Sequence, residues 1–156
     1  MNESKSLIIF YSWSGNTKII AEYIKEFTNA DIFEIKPVKP YPTNYLSCVL
    51  KARYELSANK HPKLKEYLNN INEYDTIYVG YPNWWGTLPM VIVSLLEKLD
   101  FTGKTVKPFV TSGSGGMGKS RKTLEELCKG AKIESELSIF ANDINNSKSI
   151  VKNWIN

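Results

Sequence analysis

The chain alternates short, continuous apolar runs with longer stretches in which apolar residues recur every three or four positions. "SLIIFYS", residues 6–12, is nearly unbroken, the form of a parallel strand covered on both faces. "NTKIIAEYIKEFTNA" follows, with Ile20, Ile24 and Phe27 on one helical face. Further strands are predicted in "DIFEIKP", ending before Pro37, in "YDTIYVGYP" and in "KTVKPFVTS". Pro108 in the last of these is better tolerated near the strand's start than at its centre. "KIESELSIF" predicts a fifth strand.

Helices are predicted in "LPMVIVSLLEKLD", opened by Pro89, and in "KSRKTLEELCKG", closed by Gly130. A terminal helix, "NSKSIVKNWIN", carries Ile150, Val151, Trp154 and Ile155. The long connection 38–72 predicts one helix with Tyr45, Val49, Ala52 and Leu56 on a single face, and a second begun at Pro62. A helical crossover with an elaborate lead-in is slightly favoured there over a lid on a site. The alternation predicts an α/β fold, a three-layer sandwich with right-handed crossovers and a five-stranded parallel sheet of order 2-1-3-4-5. One domain spanning residues 1–156 is expected.

Composition narrows the function. Twenty Lys+Arg against sixteen Asp+Glu give a mild +4, and the basic residues are scattered along the chain, without the run or aromatic-interleaved array of a nucleic-acid binder. Cys48 and Cys128 form no C-x-x-C and read as free thiols in a reducing compartment. His61, the single histidine, precedes Pro62 and reads as a helix-start residue on the surface. It argues against Ser-His-Asp or Cys-His chemistry, and no metal site is expected. The N-terminal apolar stretch is too short for a signal segment and no run reaches membrane length, so a cytoplasmic protein is expected.

In a sheet of this order, ligands bind beyond the carboxyl ends of the strands. Three loops fall there: "SWSGNT" (12–17), "PNWWGT" (82–87) and "TSGSGG" (111–116). The first has Ser12, Ser14 and Thr17 hydroxyls, Gly15 for close backbone approach, and a helix opening at Asn16; Trp13 lies among them. It reads as a cradle for a phosphate monoester, or as a helix cap with no ligand. In the second, Trp84 and Trp85 stand between Pro82-Asn83 and Gly86, and one of them is expected on a flat ligand, with Trp85 weakly preferred. In the third, Thr111, Ser112, Gly113, Ser114, Gly115 and Gly116 offer backbone N–H groups to a heterocycle's carbonyl edge.

The third loop also begins "GSGGMGKS", residues 113–120, which fits the Walker A pattern of nucleotide hydrolases. The octet follows the fourth strand, leaving fewer residues than such a sheet needs, and no convincing strand ends in a Mg²⁺-binding Asp. A phosphate cradle already follows the first strand. Nucleotide hydrolysis therefore ranks last.

With "GYPNWWGTLPM", "DFTGKTVKPFVTSGSGGMG" and "PVKPYPTNY…KARYEL", the sequence resembles the flavodoxin family over nearly its whole length. The resemblance implies a flavodoxin-like fold and flavin mononucleotide (FMN), its phosphate on Ser12, Ser14, Gly15, Asn16 and Thr17. It also implies that residues 82–86 and 112–116 flank the isoalloxazine ring. Electron-carrier flavodoxins are strongly acidic, whereas this chain is net positive. The expected function is a redox protein passing electrons to a protein partner or to a small acceptor such as a quinone, with NAD(P)H as a donor in the second case. An FMN-binding or regulatory module without redox turnover is the alternative. No side chain in the three loops is expected to act as a catalytic acid or base.

Overall fold

The apolar runs form strands at the expected places. A computed structural model describes residues 4–113 and 116–156. The elements are β1 (Ser6–Phe10), α1 (Asn16–Thr28), β2 (Asp31–Glu34), α2 (Tyr45–Ser57), β3 (Thr76–Pro82), α3 (Met90–Leu96), β4 (Thr105–Ser112), α4 (Ser120–Leu127), β5 (Lys132–Ile133), β6 (Leu137–Phe140) and α5 (Lys148–Ile155). All strand pairs are parallel, and the order is β2-β1-β3-β4-β5 with β6 also on β4. This is the flavodoxin-like α/β sandwich.

The two-residue period of each strand divides the core. Leu7, Ile9, Ile77, Val79, Val106 and Val110 pack on one face with α3 and Leu124 of α4. Ile8, Phe10, Tyr78 and Phe109 pack on the other with Ile20, Ala21 and Ile24 of α1 and Val151 of α5. Burial on both faces explains why these strands read as continuous apolar runs.

The fifth strand differs from expectation. "KIESELSIF" forms two pieces, β5 beside the start of β4 and β6 beside its end. Pro108 accounts for the break. It is the fourth of eight residues in β4, in register with Val79, so it lies inside an interior strand and not near its start. The Val106 carbonyl accepts from the Glu134 N–H (2.9 Å), so Val106, and Pro108 two residues on, face the β5–β6 side. Lacking an N–H there, Pro108 falls where the partner strand is interrupted, between Ile133 and Leu137.

Residues 38–72 also depart from the pattern. The helix α2 forms, capped by the Asn44 side chain on the Ser47 N–H (3.0 Å). Its buried face is Cys48, Ala52 and Glu55, while Tyr45 and Leu56 point to solvent. No helix begins at Pro62. Residues 63–65 instead run antiparallel to residues 36–38, with Val38 N–H on the Lys63 carbonyl and Lys65 N–H on the Lys36 carbonyl (both 2.8 Å). His61 is therefore a surface residue outside any helix, its Nδ1 paired with Glu97 at 2.7 Å. In α5, Val151 is buried while Ile150 is exposed. Both cysteines are free and buried. Among the described residues no helix is long and apolar enough to cross a membrane.

Candidate functional site

At the carboxyl ends of β1, β3 and β4 the three loops surround a cleft of about 480 Å³, within the range of about 300–1,000 Å³ usual for small-molecule sites. The first loop contributes Trp13, Ser14 and Asn16, the second Pro82, Asn83, Trp84 and Trp85, and the third Thr111, Ser112 and Gly113. The remaining expected residues support these. Ser114 and Gly115 lie outside the described residues.

The first loop turns into α1 at Gly15, which caps the helix with a φ of +100°. The Ser12 Oγ accepts from the N–H of Gly15 (3.1 Å) and of Lys18 (3.2 Å), leaving its own hydrogen free to donate. Thr17 is 1% exposed. Its Oγ1 lies 2.8 Å from the Thr111 Oγ1, which ties the first loop to the third. Only one hydrogen of this hydroxyl pair is used between them. Trp13 donates through Nε1 to the Pro42 carbonyl (3.0 Å), fixing the lead-in to α2 over the first loop.

The second loop is a tight reversal. Trp84 and Thr87 exchange backbone hydrogen bonds of 2.9 and 3.1 Å, and both central residues have positive φ, Trp85 at 56° and Gly86 at 77°. Positive φ at both positions is the requirement of a type I′ turn. Glycine meets it without strain; for a bulky tryptophan it costs about 1–3 kcal/mol. The turn sends the two rings apart. Trp84 meets Tyr11 and Tyr41 edge-on, at 5.6 and 4.9 Å between ring centres. Trp85 stays 46% exposed at the cleft's rim, its Nε1 on the Val49 carbonyl (2.9 Å) and the Arg53 guanidinium 4.7 Å from its ring.

Asn83 and Ser112 carry the least expected feature. Asn83 Nδ2 donates to the Gly116 carbonyl (2.5 Å), yet its Oδ1 and the Ser112 Oγ are buried with no partner among the described residues. Unpaired buried oxygens are rare in native proteins and point to a missing partner. Both residues line the cleft. The second and third loops are also clamped together, with the Lys119 N–H on the Gly86 carbonyl at 2.6 Å.

Sequence reasoning missed the fourth wall. Tyr45, Cys48, Val49 and Ala52 of α2 line the cleft, as does Ala141. The length of the 38–72 connection is the available signal, and on its own it fits a plain crossover as well as a wall of the site. Burial, then the neighbouring Glu55, pushes the Cys48 thiol up to about 11, so it is protonated at neutral pH. Burial raises the Tyr11 hydroxyl as well. Tyr41 donates to the Glu55 carboxylate (2.5 Å) behind this wall.

The family model described as flavodoxin matches residues 5–156. The chain belongs to the flavodoxin family. No curated protein matches its sequence significantly. Among solved structures, a protein of Bacteroides uniformis designated a flavoprotein is 32% identical, with a TM-score of 0.86 and 99% of each chain covered. A flavoprotein of Lactobacillus acidophilus, solved in complex with FMN, is 25% identical, with a TM-score of 0.73 over 94% of this chain and 99% of that one. The likeness to an oxidised flavodoxin of Bacillus cereus is one of fold, at 20% identity and a TM-score of 0.54 over 97% of each chain.

Proposed function

We propose that this flavodoxin binds FMN in the cleft and serves as a redox protein. The observation that carries the reading is the convergence of three strand-end loops on one cleft, with two buried oxygens that have no partner among the described residues. An isoalloxazine edge presents one imide N–H between carbonyl oxygens, the complement of an acceptor such as Asn83 Oδ1 and a donor such as the Ser112 hydroxyl. The free hydrogen of Ser12, the Ser14 hydroxyl and the N–H groups opening α1 would hold a phosphate. The FMN complex of the Lactobacillus acidophilus relative supports the same ligand. Bound FMN supplies one- and two-electron redox chemistry, and the chain's residues bind the ring, orient it and limit water's access.

Trp85 is assigned to the ring and Trp84 to the protein. Trp85→Ala should restore much of the bound flavin's fluorescence and weaken FMN by about 1 kcal/mol. Trp84→Ala should chiefly lower stability, since it loses two edge-on contacts of about 0.5–1.5 kcal/mol each. Unchanged flavin emission in both variants would remove this loop from the ring.

The octet's first residue, Gly113, lines the same cleft with Ser112 before it. A P-loop needs its Lys on phosphate and its Ser on Mg²⁺. Here Ser120 is buried, accepting from the Tyr81 hydroxyl (2.7 Å) and donating to the Met117 carbonyl (2.6 Å), and Lys119 is exposed. Lys119→Ala should leave FMN affinity within about 1 kcal/mol of the parent by calorimetry. Tight ATP–Mg²⁺ binding abolished by the same change would return the octet to the P-loop class.

Redox function is tested on the FMN-loaded protein under anaerobic conditions. Dithionite should bleach the visible flavin bands, and a quinone or an oxidised electron-transfer protein should restore them. Turnover of NAD(P)H with and without quinone separates an oxidoreductase from a carrier. A bound flavin that cannot be cycled would leave the binding-module reading.

A further inference from the structure

The chain's net positive charge comes from one segment. Residues 35–65 hold seven of the twenty Lys+Arg and one of the sixteen Asp+Glu, so the segment is +6 and the remainder of the chain is −2. That one acid, Glu55, is buried and bonded to Tyr41. Burial raises its pKa, against the smaller opposing effects of the Tyr41 hydrogen bond and of Lys51.

The segment folds into a surface beside the cleft. Leu46, Leu50 and Tyr54, four residues apart, form a stripe along the outer face of α2 and are 64%, 58% and 60% exposed. On one side the stripe meets Arg53 and Trp85 at the cleft's rim. On the other, Tyr54 shares a second cavity of about 390 Å³ with Lys39, Lys51, Lys60 and Lys63, and the buried Glu55 is the one acid that lines it. Among the described residues none of these four lysines has a carboxylate within 4.0 Å, and the cavity's His61 is paired with Glu97. An exposed apolar patch bordered by charge mostly of one sign is the form of an interaction site.

We propose that the outer face of α2, with the lysine-lined cavity beside it, is the docking surface for a small acidic electron-transfer protein. The proposal rests on the redox reading of the cleft and names the partner of that site. Charge complementarity selects the occupant. A second copy seated symmetrically on this face would bring two +6 segments together, whereas an acidic partner is steered to it. The apolar stripe supplies the contact that holds after encounter. Docking there places the partner against Trp85 and Tyr45, two residues that also line the cleft.

The test uses the full chain and an acidic [2Fe–2S] ferredoxin as the probe. The visible spectrum first shows whether FMN is bound. Stopped-flow mixing of reduced ferredoxin with the FMN-loaded protein gives a bimolecular rate constant, which should fall roughly tenfold or more in Lys60→Glu/Lys63→Glu at low salt. The control Lys25→Glu/Lys152→Glu makes the same charge change on α1 and α5, across the sheet, and should fall about twofold or less. Leu50→Asp should slow transfer with the flavin spectrum unchanged. Amide shifts on adding oxidised ferredoxin should cluster in residues 46–63, an observation that does not need a bound flavin. Equal losses in the two double variants, or shifts absent from α2, would overturn the proposal. So would self-association abolished by Leu50→Asp, which would assign the face to a second copy.

Discussion

Gly118→Val is expected to lower stability by about 2–6 kcal/mol and to weaken FMN by roughly tenfold or more. Gly118 has a φ of +58°, which costs a side-chain-bearing residue about 1–3 kcal/mol. A Cβ there would also collide with the backbone carbonyl of Gly86, and relief requires a backbone shift of similar cost. Neither glycine contributes a side chain to the cleft. Their contact sets the spacing between the tryptophan turn and the start of α4, reinforced by the Lys119 N–H on the Gly86 carbonyl. Separating the two should therefore disturb both loops assigned to the ring. Chemical denaturation measures the first effect and flavin titration the second. A variant with parental stability would show that the two loops tolerate independent movement.

Thr17→Val should weaken FMN by about 1.5–3 kcal/mol, ten- to more than a hundredfold, while changing riboflavin by about threefold or less. Valine keeps the shape of threonine and removes the hydroxyl. With the Thr17–Thr111 pair sharing one hydrogen between them, the second is available to a ligand at the start of α1. Riboflavin has no phosphate to receive it. The variant also leaves the buried Thr111 hydroxyl without its partner, so some loss of stability accompanies the change. That structural loss should weaken both ligands alike, which makes the ratio of the two affinities the informative quantity. Parallel weakening would place the phosphate elsewhere.

Much of this architecture is legible from residue order because the parallel strands are buried on both faces. "SLIIFYS" and "YDTIYVGYP" could be little else, and once the alternation of elements is set, three loops must share one edge of the sheet. The errors arise where tertiary context overrides local pattern. From sequence Pro108 is only an awkward residue inside a strand; the sheet shows that its missing N–H coincides with the gap between β5 and β6. "PKLKEYLNNIN" has apolar residues at helical spacing, yet backbone pairing with residues 36–38 holds its beginning extended. In α2 the periodicity was right in part: Ala52 is buried and Val49 and Tyr45 line the cleft, while Leu56 is exposed. Its apolar residues outnumber the positions the core can take, so Leu46, Leu50 and Tyr54 remain outside while Cys48 and Glu55 are buried. That excess is the stripe now assigned to a partner. Likewise the basic residues are spread along the chain, and the excess over acids in residues 35–65 shows only when acids are counted beside them.

The candidate site was legible in its loops and not in its bonding. Ser12, Ser14 and Thr17 were read as equivalent hydroxyl donors. The structure distinguishes Ser12, which accepts two N–H bonds, from Thr17, which reaches across to Thr111. The unpaired oxygens of Asn83 and Ser112 leave no trace in sequence, since every Asn and Ser offers the same atoms until its neighbours are known.

The measurement that bears most directly on the central claim compares FMN and riboflavin on the unaltered protein. Titration of each into the flavin-free protein, followed by fluorescence at one salt concentration, gives two dissociation constants. Two or more charge-assisted hydrogen bonds to the phosphate predict FMN binding tighter by about a hundredfold or more. Equal affinities, or no binding of either flavin, would contradict the account.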